Sequence, residues 1–258
     1  MTNTLQTILN SPLALPCGTR IPKRIVKSAL SEGLADSHNE ATHKHVSLYR
    51  TWAKGGSSLL ITGNVFVDRK QIERAGAVAI DAKFTKGGME SLKRWAASAN
   101  NEDVQIWMQL SDSGHQTPRA INPTPKAASA IQVQLPGNLF GRSIALTNLE
   151  ISALITAFGR AAGIAREAGF NGVQLHAAHG YLISGFLSPR TNQRTDEWGG
   201  DQRGRSRFLI EIVKNIRSHV GTDYPVAVKL NSADFQRGGF DLEDSKMVAG
   251  WLDAAGVD

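Results

Sequence analysis

The sequence predicts an α/β fold, a parallel sheet wound with helical crossovers into an incomplete barrel, and three observations carry that prediction. Short apolar runs alternate with segments of helical periodicity along the whole chain, which is the pattern of strand-helix units. Five such units can be counted, and the sequence stops at Gly256-Val257-Asp258, where a sixth strand should begin. After the first strand, Lys27 to Gly33 reads KSALSEG, without the glycine-rich phosphate loop expected of an open sheet of the flavodoxin type.

Taken in order, Ser11 to Pro22 is turn-rich and apolar, and predicts a short hairpin that plugs the barrel bottom ahead of the first strand, IVKSAL at Ile25 to Leu30. Thr42 to Ala53 carries Val46, Tyr49 and Ala53 at helical spacing and stops at Gly55-Gly56, which can take the left-handed C-cap conformation. The second strand is SLLIT, Ser58 to Thr62. Met89, Leu92 and Ala96 space as one face of a weak helix before a third strand, Val104 to Leu110. Residues Asp112 to Leu146, with Pro118, Pro123, Pro125 and Pro136, exceed a normal connection and predict an excursion over the mouth of a site. Thr147 to Gly169 is the clearest helix. Thr147 with Glu150 forms a capping box, and Ile151, Leu154, Ile155, Phe158, Ala162 and Ala165 make its buried stripe. The fourth strand is Gly172 to His176. Phe208, Ile212 and Ile216 mark a helix closed near Gly221, Pro225 opens a fifth strand at Val226 to Leu230, and Asp241 to Ala255 is the last helix, ended by Gly256.

Composition narrows the classes. The 258 residues, 41% hydrophobic and 20% charged, suit one globular domain with a sizeable core. The single cysteine, Cys17, allows no internal disulfide and fits a reducing cytoplasm. The start, MTNTLQTILNSPLALP, lacks a basic segment followed by a long apolar core, and no apolar run reaches the roughly 18 residues of a membrane span. The formal charge of +6 comes from 29 Lys and Arg scattered among 23 acids, so it reads as a solvated surface and not as a nucleic-acid interface. A cytoplasmic chain with neither a nucleic-acid nor a membrane partner is expected, with room for a homo-oligomer.

The strand ends point to a site. Trp107 and Gln109 share one face of the third strand, Gln174 and His176 one face of the fourth, Ala227 and Lys229 one face of the fifth. A buried lysine, imidazole and carboxamide converging on one opening are costly unless a polar ligand satisfies them. His176, His179 and Tyr181 add two imidazoles and a phenol within six residues, beside Gly180. His176 and His179 with His115 or Asp234 would alternatively make a zinc hydrolase site, but no carboxylate-rich surround accompanies them and no metal is expected.

The stretch GVQLHAAHGYLISGFLSPRTNQRTDEWGG, Gly172 to Gly200, resembles the signature of the old yellow enzyme family of flavin-dependent ene-reductases. These are FMN-containing (β/α)8 TIM barrels in which His-x-x-His-Gly-Tyr follows the fourth strand. The resemblance implies one FMN-binding domain over residues 1–258, short of its last three strands and of the phosphate grip they carry. It implies that NADH or NADPH reduces FMN, and that the flavin passes hydride to the alkene of a small-molecule enone. RIVKSALS, Arg24 to Ser31, then lays Ser28, Ala29, Leu30 and Ser31 along the flavin. Asn64 in LLITGN makes the second-strand contact, Gln109 in MQL reaches the pyrimidine edge, and Lys229 in VKLNSADF faces N1 and the C2 carbonyl. His176 and His179 would hold the substrate carbonyl, with His176 also beside the flavin, and Tyr181 would be the proton donor. Arg190, Arg194, Asp196, Gly199 and Gly200 would fix the loop. The departures are Ala29 for a usual proline, Asp112 for a histidine or neutral polar group, His115 for an arginine and Gly204 for an asparagine. A non-catalytic fragment is the other reading, for which weak FMN binding and aggregation-prone open sheet edges are expected.

Overall fold

The computed structural model of the chain describes residues 2–99, 103–133 and 137–258. It opens with helix α1, Thr2–Leu9, and an antiparallel hairpin of β1, Leu13–Ala14, and β2, Arg20–Ile21. Strand β3, Val26–Lys27, helix α2, His43–Ala53, and strand β4, Leu59–Phe66, follow. Next come β5, Val78–Ala79, α3, Lys86–Ala97, and β6, Gln105–Ser111. The long connection after β6 holds a 3-10 turn at Gly114–Gln116 and a parallel pair, β7, Lys126–Ala127, and β8, Ile144–Ala145. Helix α4, Asn148–Glu167, leads to β9, Gly172–Ala177, then α5, Leu182–Leu187, and α6, Gln202–Val220. Strand β10, Val226–Leu230, and helix α7, Leu242–Ala254, complete the order.

The main sheet is parallel, and its strands lie in chain order, β3, β4, β6, β9 and β10, with β5 pairing the far end of β4. A helix separates each strand from the next. That succession is the winding of a (β/α)8 barrel, whereas a doubly wound open sheet reverses strand order at a switch point.

The two faces of the sheet are filled differently. Leu60, Ile106, Met108, Val173, Leu175 and Val226 pack outward into the main core with the helices. With both faces covered, the strands read as continuous apolar runs. Inward, Leu59, Ile61 and Trp107 meet Ile21 of β2, with Leu13 and Leu15 alongside. The hairpin therefore plugs the bottom of the barrel, as its sequence suggested. α4 is as expected: the Thr147–Glu150 capping box is formed, Ile151, Phe158, Ala162 and Ala165 are buried, and Leu154 and Ile155 pack against the core half-buried. Gly169, at φ +94°, makes the left-handed turn that releases the chain into β9.

Other elements differ from the sequence reading. Helix α1 was not expected, being too short to show a period. β3 is two residues long instead of Ile25 to Leu30, because the chain leaves the sheet after Lys27. β4 runs on past Thr62 to Phe66, beyond a bulge that shifts its register with β6 between Ile61 and Asn64. The buried face of α2 is His45 and Tyr49, while Val46 and Ala53 stay half-exposed. His45 Nδ1 accepts the Thr42 N–H at 3.0 Å, its ring lies 4.6 Å from Trp95, and burial lowers its pKa to about 4. It is a neutral capping residue of the core. Within the long connection, Pro136 lies outside the described residues. Among the described residues no helix is long and apolar enough to cross a membrane.

Candidate active site

The carboxyl ends of four strands bring together residues far apart in sequence. Asn64 stands beside Gln109, Gln109 beside Gln174, and Lys229 beside His176 in the strand registers. Strict alternation from Ile61 would turn Gly63 inward and Asn64 away; the bulge in β4 turns Asn64 in. Gln109 is buried and donates from Nε2 to Gln174 Oε1 at 2.6 Å, so the two carboxamides orient each other. Ser28 to Ser31 pass over β4 at Gly63, where a Cβ would sit 2.4 Å from the Leu30 carbonyl oxygen. Only glycine permits that crossing. Ser28 is exposed, Ala29 packs against the inner cluster, and Leu30, an apolar residue at the opening, is 60% exposed.

Beyond β9 the chain turns through two left-handed residues, His179 at φ +62° and Gly180 at +78°. For His179 that conformation costs about 1–2 kcal/mol. It is held by its N–H donating to Asn231 Oδ1 at 3.1 Å and its carbonyl accepting from Gln116 Nε2 at 2.7 Å. The turn sets the His176 ring 5.0 Å from that of His179 and 4.7 Å from that of Tyr181.

Charge is arranged to keep both imidazoles neutral. Burial, then His179 and Lys229, lower the His176 pKa to about 3, and burial followed by Lys229 lowers that of His179. His176 Nδ1 accepts the Ala178 N–H at 3.3 Å, which leaves its own N–H on Nε2 as a donor. Tyr181 is pushed up by burial and then by Glu73, whose carboxylate accepts its hydroxyl. Among the described residues no carboxylate pairs with the half-buried Lys229, which stands beside His176 in the strand register. A cavity of about 620 Å³ opens beside His179, lined by His115, Gln116, Ile131, Arg190, Asn231 and Phe235 among others.

Arg194 makes several of the ties between the long connection and the segment after β9, beside those of Gln116 to the His179 carbonyl and of the Gln193 N–H to Ser129 Oγ. Arg194 donates to the carbonyls of Ala128 at 3.1 Å and Leu146 at 2.6 Å and to Asn148 Oδ1 at 3.1 Å, and pairs with Asp196 at 2.5 Å. Arg190 donates to the Arg237 carbonyl at 3.2 Å. Gly200 takes φ +73°, and a Cβ on Gly199 would lie 2.4 Å from the Arg194 carbonyl oxygen.

The model of the NADH:flavin oxidoreductase / NADH oxidase family matches residues 9–258. The chain belongs to this family. It is 36% identical over 245 residues to the NADH-dependent flavin oxidoreductase iliE of Hypocrea jecorina (strain QM6a), covering 86% of this chain and 59% of that protein. Among solved structures, a 2-naphthoyl-CoA reductase complex superposes with a TM-score of 0.89 at 28% identity, over 96% of this chain and 39% of that one. The old yellow enzyme homologue of Zymomonas mobilis gives 0.84 at 25% identity, over 96% and 71%. The chain therefore spans a little over half the length of that curated relative. The resemblance to old yellow enzymes is borne out, and with it the incomplete TIM barrel and the family's cofactors, FMN with NADH or, as in an NADPH dehydrogenase of Listeria monocytogenes, NADPH.

The residues of this family member fit FMN on their own features. Asn64 Oδ1 on β4 and Ser111 Oγ on β6, the strand that also carries Gln109, are buried without a partner among the described residues. With the unpaired Lys229, they offer a polar edge that a flavin pyrimidine ring would satisfy. One residue that sequence reasoning missed is Glu73, which accepts the Ser31 hydroxyl, Asn64 Nδ2 at 2.9 Å and the Tyr181 hydroxyl. Its signal was its place in the loop leaving the carboxyl end of a barrel strand, where barrel sites are built. Among the described residues no cluster of three or more His, Cys, Asp or Glu is arranged to hold a metal ion. Asp234 is turned to its own loop, accepting from Asn231 Nδ2 at 3.3 Å and the Phe240 N–H at 3.0 Å.

Two departures from the family pattern gain a physical reason. A Cβ on Gly204 would lie 2.0 Å from the Gly199 carbonyl oxygen, so this loop is closed against helix α6 more tightly than an asparagine would allow. Asp112 is buried and points into the connections, not into the site; its Oδ1 accepts Gln71 Nε2 at 2.7 Å and the Gly114 N–H at 2.8 Å, while Oδ2 has no partner among the described residues. Burial raises its pKa to about 7 against those two hydrogen bonds. The folded state therefore binds a proton that the unfolded chain releases near pH 4, and this residue's contribution to stability falls as pH rises from about 4 to 7. Asp112→Asn is expected to match the wild type near pH 4 and to exceed it above pH 7, by up to roughly 4 kcal/mol. Urea midpoints measured across that range check this; parallel curves for the two proteins would show Asp112 is not the group that titrates.

Proposed function

We propose that this chain forms much of the barrel of an FMN-dependent oxidoreductase that takes hydride from NADH or NADPH and delivers it to the alkene of an α,β-unsaturated carbonyl compound. The observation that carries this reading is the convergence of two neutral imidazoles, a protonated phenol and an unpaired ammonium at the ends of β9 and β10. Ser28 to Ser31, Asn64, Gln109, His176 and Lys229 would hold FMN, which when bound supplies the hydride.

The chain's own residues do the rest. His176 and His179, being neutral, offer ring N–H donors to a carbonyl oxygen. Hydrogen bonds to that oxygen strengthen as enolate charge develops on it, which lowers the barrier and not merely the binding energy. Lys229 suppresses protonation of both rings, keeping them donors to an oxygen instead of free acids. Tyr181, held in its acid form, protonates the α-carbon. The cavity beside His179, with Ile131 and the 91% exposed Phe235 on its wall, leaves room for an apolar portion of the substrate.

Phenols bind such sites as enolate mimics, so in the flavin-loaded protein a phenol is expected to give a long-wavelength charge-transfer band. Replacing His176 and His179 together by Ala should abolish the band while leaving the bound flavin's own spectrum in place. A band that persists in the double variant would end the carbonyl-anchoring role.

A further inference from the structure

Glu73 lies in the connection between β4 and β5, and its one carboxylate gathers three side chains from three parts of the chain. Oε2 accepts the Tyr181 hydroxyl and Asn64 Nδ2, the latter at 2.9 Å, and Oε1 accepts the Ser31 hydroxyl. Tyr181 is 108 residues away in sequence. All three partners are donors, and only an ionised carboxyl group offers acceptor sites on both oxygens with no hydrogen of its own. A glutamine there could accept on one oxygen but would turn its amide donors toward at least one of the three.

We infer that Glu73 is a positioning residue for proton transfer, fixing the Tyr181 hydroxyl against Asn64 and Ser31 and holding the phenol in its acid form. The inference rests on the assignment of Tyr181 as proton donor made above. Its physical basis is charge: a phenolate in contact with this carboxylate would put two anions within hydrogen-bond distance in a half-buried site. The other titratable groups near the phenol are His176 of β9, 4.7 Å away, and His115 of the 3-10 turn, which lines the same cleft; burial holds both toward neutrality. Around Glu73 itself stand Glu32, Arg74 and His45, and Lys229 acts on the two imidazoles. In the transfer, the phenol O–H breaks, the proton bonds the α-carbon, and the O–H electron pair stays on the Tyr181 oxygen. That phenolate then faces Glu73, and the repulsion drives its reprotonation from water.

The test is the ionisation of Tyr181, read without flavin or substrate. The chain holds three tyrosines, Tyr49, Tyr181 and Tyr224, and replacing them with 3-fluorotyrosine brings phenol ionisation into an accessible range for fluorine NMR. Tyr181→Phe identifies the resonance. In Glu73→Gln, Tyr181 is expected to titrate about one pH unit or more lower than in the wild type. Glu73→Ala, which removes the charge and both acceptors, must shift it in the same direction. An unchanged titration in either folded variant overturns the inference, whatever the enzyme does. In the flavin-loaded protein, Glu73→Gln should also move the alkaline limb of the oxidative half-reaction down by the same interval. A uniform loss of rate with no shift would mark Glu73 as merely structural. If instead Tyr181→Phe leaves that half-reaction untouched, the proton-donor assignment fails while the titration still reports on Glu73.

Discussion

In the flavin-loaded protein, Tyr181→Phe is expected to slow the oxidative half-reaction with an enone by about 10² to 10⁴-fold and to spare flavin reduction by the nicotinamide nucleotide. The change removes one oxygen. The ring and its contact with His176 remain, so binding and the polarising imidazoles are kept while the proton is withheld. At 1.36 kcal/mol per decade, the loss corresponds to about 3 to 5 kcal/mol in the barrier, the scale of one well-placed general acid. Stopped-flow traces separate the two half-reactions. An oxidative half-reaction as fast as the wild type's would take Tyr181 out of the mechanism and pass the proton to water or to another group. The effect belongs to one half-reaction because nicotinamide oxidation asks nothing of the phenol.

How much of this was legible in the sequence depended on the range of the interaction. The capping box of α4, its buried stripe and the turn at Gly169 are local, and a helix of that length repeats its period often enough to be read. The inward pairs Gln109 with Gln174 and His176 with Lys229 needed only strand alternation and the barrel register. Asn64 was reached by resemblance alone, since alternation from Ile61 points it outward until the bulge is known. For Glu73 the sequence offered only a place after the carboxyl end of a strand, because nothing in the string QIERAG says that this carboxylate meets a phenol carried two strands away. His45 was hidden for the opposite reason. A histidine in the first turn of a helix reads as exposed, and only the tertiary contact with Trp95 buries it.

The second large effect concerns stability. Arg194→Ala is expected to destabilise the fold by about 3 to 5 kcal/mol, more than most single substitutions. The Arg194 side chain is 11% exposed, and its guanidinium satisfies the carbonyls of Ala128 and Leu146 at the two sides of the β7–β8 pair as well as Asn148 Oδ1 at the start of α4. Hydrogen bonds from a charged donor contribute about 1.5–3 kcal/mol each, and truncation leaves these acceptors without their donor. The ion pair with Asp196 adds less, because that carboxylate is 36% exposed and water screens it. Arg194→Lys should recover little of the loss, since a single ammonium cannot reproduce a planar fork that reaches three acceptors at once. The failure has a definite place: the connection from Asp112 to Leu146 is tied by this residue to the loop that follows β9, so in the variant it should become the first segment cut in limited proteolysis, ahead of global unfolding. Urea denaturation gives the magnitude and mass analysis of the early fragments gives the location. A loss under about 1 kcal/mol, or early cuts elsewhere in the chain, would show that the excursion is held by its own packing, with Arg194 a passenger.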